Sequence, residues 1–136
     1  MKLSTLLRCW PLVLAAAGPA WAAEPTTPAQ LLAAYTAQAG TAASPERGQK
    51  LFNTNFGREL GLSCASCHGK APQKSGSHAL TEKSIAPLAP AANPARFTDR
   101  TAVELNSRIN CKDVVGRECT AAEKADVLAW LLTLKP

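Results

Sequence analysis

The run Cys64-Ala65-Ser66-Cys67-His68 constrains this chain more than any other stretch. Two thiols separated by two residues, followed at once by an imidazole, form the attachment pattern of a c-type haem. The thiols add across the haem vinyl groups, and one tight turn presents both. The adjacent His68 then supplies a ring nitrogen to the iron. A chain carrying this group must wrap a large apolar macrocycle, and the group brings most of the chemistry with it.

Other readings of C-x-x-C fit less well. Cys111 and Cys119 supply no second C-x-x-C, so a zinc site is incomplete. A thioredoxin-type pair needs a strand, motif and helix within a βαβ unit, and no strand pattern is visible. An immediate His and an export signal both favour haem.

The export signal lies at the start. Lys2 and Arg8 precede an apolar run, Leu12 to Ala17, and Ala20-Trp21-Ala22 matches a small-residue cleavage pattern. Residues 1–22 are expected to be a signal peptide cleaved near Ala22, and residues 23–136 a single monohaem domain. The apolar run is too short to span a bilayer, and Pro11 and Pro19 flank it. No later stretch is long and apolar enough, so the mature chain is expected in the periplasm without membrane insertion.

Cleavage removes Cys9 and leaves Cys64, Cys67, Cys111 and Cys119. The last two are free to form a disulfide in an oxidising compartment. Loss of Lys2 and Arg8 lowers the formal net charge of +5 by two. The remaining basic residues are scattered without aromatic interleaving, which argues against nucleic acid. Cleavage also removes Met1, the one methionine in the chain. The thioether that commonly serves electron-carrying cytochromes c as second axial ligand is therefore missing.

Four helical stretches are predicted. The first covers 28–39, with Leu31, Leu32, Tyr35 and Ala39 on one face, Pro28 in the first turn and Gly40 at the end. The second covers about 45–57, with Gly48, Phe52 and Phe56 four apart. The third covers about 98–109, with Ala102, Leu105 and Ile109 on its inner face. The fourth covers about 120–134, where Thr120 and Glu123 form a capping box. No strand alternation is evident. The long segment between His68 and the third helix is irregular and proline-rich. Wrapping a macrocycle explains such a length. Its stretch Ile85–Pro90 is apolar and suited to line the haem, and one of its carbonyls is a candidate acceptor for the second ring nitrogen of His68.

The second axial position is open on spacing alone. His78 is the other histidine, but it lies ten residues on and reads as a solvated loop residue. Lysine must first lose a proton to ligate. An open position or a water also fits. Asn110, directly before Cys111, reads from composition as a helix cap or turn residue.

The chain resembles the sphaeroides haem proteins, a group of oxygen-binding class I cytochromes c. The matching stretches are Cys64–Gly69, Ile85–Pro90, Pro94–Asp99, Asn110–Cys119 and Glu123–Leu131, joined by Thr27–Leu32, Glu46–Gly48 and Leu51-Phe52. The resemblance implies an all-α class I cytochrome c fold with an extra N-terminal helix, in which the Gly48/Phe52 helix crosses the Trp130 helix. It implies one covalent haem c on Cys64 and Cys67, with His68 and Asn110 on the oxidised iron. It further implies a Cys111–Cys119 disulfide that holds Asn110 in place. Release of Asn110 on reduction would admit O2, NO or CO, with a terminal reductase or oxidoreductase role within reach. Electron donors implied are a dihaem cytochrome c and a membrane cytochrome b. A plain electron shuttle with two permanent axial ligands, such as His68 and His78, is the alternative. The chain departs from the family in part of the loop after His68 and at Asn106 to Ile109.

Overall fold

Proline and a side-chain cap open the first two helices of the computed structural model, which describes residues 23–57 and 60–136. The expected signal peptide lies outside the described residues. Helix α1 spans Pro28–Ala39, with the Thr27 hydroxyl accepting from the Gln30 N–H and Gly40 ending it at φ 66°. Helix α2 spans Pro45–Asn53 behind Ser44. It stops short of the predicted 57 because Asn53 and Thr54 turn their side chains back onto the Gln49 and Lys50 carbonyls. Thr54 is already extended.

Helix α3, Cys64–His68, is the attachment motif itself. Being one turn long, it shows no apolar periodicity. Two short antiparallel strands follow, β1 (Gly76–Ser77) and β2 (Ser84–Ile85). Two residues cannot display alternation, so this hairpin was hidden in the sequence. Helix α4 spans Arg100–Val114 and α5 spans Ala121–Thr133. The capping box of α5 forms as read, between Thr120 and Glu123.

Helix α5 is the spine on which α1 and α2 pack. Leu31 and Tyr35 of α1 meet Ala125 and Leu128, while Phe52 of α2 meets Trp130 and Leu131. The Phe52 and Trp130 rings lie 4.9 Å apart. Burying side chains of this size contributes about 1.5–3 kcal/mol each. Asp126 anchors the crossing. Its buried carboxylate accepts from Arg47 Nε at 2.7 Å, from Arg47 Nη2 at 2.8 Å and from the Ser44 N–H at 2.7 Å.

Helix α4 is held mainly at its two ends and on one flank. Asp99 caps its start and also accepts from the Glu24 N–H. Glu104 accepts from the Tyr35 hydroxyl and from Lys124 Nζ, each at 2.6 Å. Burial, then the Glu104 bond, pushes the Tyr35 phenol well above its ordinary range. At the far end Cys111 is bonded to Cys119 with Cα atoms 5.6 Å apart, and Val114 is buried. The predicted inner face is corrected here. Leu105 and Ile109 are exposed, while Ala102, Val103, Asn106 and Asn110 line a cavity. The helix turns a partly polar face inward because its inward neighbour is a cavity and not a packed helix.

Candidate functional site

A cavity of about 670 Å³ opens among α3, α4, α5 and the loop through residues 85–97. Cys64, Cys67 and His68 line it from α3, and Asn110 lines it from α4. Leu88 and Leu131 contribute apolar wall. A second hollow of about 770 Å³ along α1 is wide open and lined by residues such as Ala33 and Leu132, with no titratable side chain.

The attachment turn is built locally. The Ser63 N–H donates to Ser66 Oγ at 3.0 Å, and the Gly69 N–H returns to the Ala65 carbonyl at 2.9 Å. Cys64 and Cys67 are unbridged and half-buried. Burial pushes the Cys64 thiol up, the opposite of what a thioredoxin-type nucleophile requires. Burial first, and then the Arg96 charge, holds His68 below the ordinary imidazole range. The neutral ring is the form that ligates a metal. Phe52 connects this ring to the core, with centroids 6.3 Å apart.

The loop opposite is stiffened by Arg96, a residue that the sequence reading passed over. Its Nη2 donates to the Ala86 carbonyl at 2.7 Å and its Nε to the Pro87 carbonyl at 2.9 Å. Those carbonyls are therefore engaged by a guanidinium, and no described carbonyl of 85–90 bonds the His68 ring. Ile85 and Leu88 of this stretch do line the cavity, as expected. Phe97 was also missed. Its φ of 62° is uncommon for a bulky residue, and its ring both lines the cavity and touches the two core clusters.

His78 sits on the hairpin turn. Its Nδ1 accepts from the N–H groups of Leu80 and Thr81, each at 3.3 Å. The hairpin is tied to the attachment turn, since the Ala79 N–H lies 3.4 Å from Cys67 Sγ. Gly76 approaches the Cys67 carbonyl so closely that a Cβ there would overlap it. His78 thus reaches the cavity from the same element that backs Cys67.

Asn110 is not a cap. It lies inside α4, four residues before the end at Val114, where its amide makes no hydrogen bond among the described residues. Asn is a poor interior helix residue because its amide competes with the backbone. Asn110 therefore fills a helical position without serving the helix.

The donor set and the cavity fit a covalent haem: two free thiols on one turn, an adjacent neutral imidazole and an apolar enclosure. Comparisons with known proteins agree. Residues 38–131 match the profile of a domain family of unknown function, DUF1924. The chain is 50% identical over 124 residues to cytochrome c-type protein SHP of Cereibacter sphaeroides, covering 88% of this chain and 95% of that protein.

The chain belongs to the sphaeroides haem protein family.

Cytochrome c'' of Methylophilus methylotrophus is 42% identical over 88 residues, which cover 63% of this chain and 61% of that protein. Among solved structures, oxidised SHP, described as an oxygen-binding cytochrome c, superposes with a TM-score of 0.76 at 48% identity, over 82% of this chain and all of that one. Oxidised cytochrome c'' superposes with a TM-score of 0.73 at 37% identity, over 80% of this chain and 95% of that one. A solution structure of that cytochrome was studied for haem-ligand detachment. This member of the sphaeroides haem protein family therefore has a class I cytochrome c fold and is a monohaem c-type cytochrome carrying one covalent haem c. No described helix is long and apolar enough to cross a membrane.

Proposed function

We propose that this cytochrome is an exported, periplasmic protein that accepts electrons and then opens one axial position to O2, NO or CO. The observation that carries the reading is Asn110: an amide inside α4, without a capping role, lining the same cavity as His68. When bound, the haem would supply an iron that alternates between two oxidation states. Cys64 and Cys67 each add a thiol across a vinyl group. His68 would hold the iron through a ring nitrogen. Asn110 would offer its amide oxygen to the oxidised iron from the α4 wall of the cavity. That oxygen is a hard, weak donor, better suited to ferric than to ferrous iron. On reduction the Asn110 side chain would withdraw and leave its place in the cavity to a small diatomic. The Cys111–Cys119 bond keeps the Asn110 backbone in position during the exchange.

The relatives support the class of ligand, since SHP is described as oxygen-binding, and ligand detachment is described for cytochrome c''. The electron source we assign to a dihaem cytochrome c, fed in turn from a membrane cytochrome b. Conversion of the diatomic in a terminal reductase step belongs to the same proposal. The rival, a shuttle ligated by His68 and His78, is disfavoured by the Ala79 N–H bond to Cys67 Sγ, which ties the His78 hairpin to the attachment turn.

Replacing Asn110 by Ala tests the reading. Covalent haem should remain, while the oxidised protein changes its optical and electron-spin spectra. An oxidised spectrum unchanged by Asn110→Ala removes this residue from the mechanism.

A further inference from the structure

Asn106 lies one helical turn before Asn110, and both line the cavity that His68 also lines. Two interior asparagines four apart on one helix run against helix preference. The Asn106 amide is tethered, its Nδ2 donating to the Ala102 carbonyl at 2.8 Å. That bond uses one of two N–H groups, and the second has no acceptor among the described residues. Ser107 lines the cavity beside it.

We propose that Asn106 discriminates among the small ligands: its free N–H donates to the outer atom of a diatomic occupying the position that Asn110 vacates. The inference rests on the ligand-binding reading above. A donor at this place favours a ligand that draws negative charge onto its outer atom, as O2 does, over CO, which stays close to neutral. Asn106 would then tune selectivity while Asn110 controls access.

The test uses the full haem-loaded protein, reduced, as parent, Asn106→Leu and Asn106→Gln. Leu matches the size and strengthens the helix but removes the donor; Gln keeps an amide N–H. Equilibrium dissociation constants for O2 and CO are measured, together with the infrared stretch of bound CO. Asn106→Leu should weaken O2 about tenfold, the loss of one hydrogen bond, leave CO within about twofold and raise the CO stretching frequency. Asn106→Gln should recover part of both effects. O2 and CO affinities that shift in parallel, or do not shift, overturn the inference while the function stands. A reduced parent that takes up neither gas overturns the inference and the proposed function together.

Discussion

Gly48 meets the main-chain carbonyl of Asp126 so closely that a Cβ on Gly48 would overlap the oxygen. This is where α2 crosses α5, and the crossing sets Phe52 between Trp130 and His68. The close approach therefore links helix packing to the haem site through one aromatic side chain.

Gly48→Ala should push the two helices apart. The expected cost is about 3 kcal/mol, at the upper end for overpacking, because the obstacle is backbone. Denaturant unfolding of the haem-loaded protein measures it. A change below about 0.5 kcal/mol would mean that the crossing relaxes without strain.

The hairpin makes a similar approach at Gly76, against the Cys67 carbonyl. Gly76→Ala should displace β1 from the attachment turn and lower the yield of covalently haem-loaded protein. His78→Ala, by contrast, should leave the optical spectra of both oxidation states unchanged, since the His78 ring serves its own turn. A changed oxidised spectrum in His78→Ala would revive the shuttle with two histidine ligands.

Much of this architecture was legible in residue patterns. Pro28 and Gly40 bounded α1, and Thr120 with Glu123 marked the start of α5, because caps are local chemistry. The ends of α2 and α4 were not legible. Asn53 and Thr54 closed α2 early by side-chain bonds back to the helix, whereas α4 ran on through Asn110 and Cys111. The face of α4 was misread for a physical reason: Leu105 and Ile109 satisfy an apolar spacing, yet the helix faces a cavity and leaves them exposed. Cys64, Cys67 and His68 were singled out by spacing and Asn110 by the family resemblance, and the fold places all four on one cavity. The roles of Arg96 and Phe97 depend on a loop that folds back on itself, which no local signal announces. The spacing of Asn106 and Asn110 was the one readable hint of a polar cavity face.

The disulfide offers a further prediction. Replacing Cys111 and Cys119 together by Ser should cost about 2–3 kcal/mol for a loop this short. It should also free the end of α4 next to Asn110, which makes few other attachments there beyond the buried Val114. The oxidised protein should then show a mixture of axial states in its electron-spin spectrum. A single species identical to the parent would mean that α4 holds Asn110 without help.

Acid unfolding should report on Glu123. Its carboxylate accepts from Arg117 Nη1 and Nη2 at 2.8 and 2.7 Å and from the Thr120 N–H at 2.8 Å. The Arg117 bonds lead in holding its pKa at about 2, below the ordinary 4.5. A folded-state pKa below the unfolded value means that stability is fully present above pH 4.5 and is lost as pH falls through the interval down to about 2. Arg117 is half-exposed, so solvent screening reduces the contribution to about 1 kcal/mol. Glu123→Gln should lower stability by about that amount at pH 7 and flatten the decline in stability between pH 4.5 and 2. Urea midpoints measured across this range decide it, because an acid limb as steep in Glu123→Gln as in the parent would assign the decline to other carboxylates.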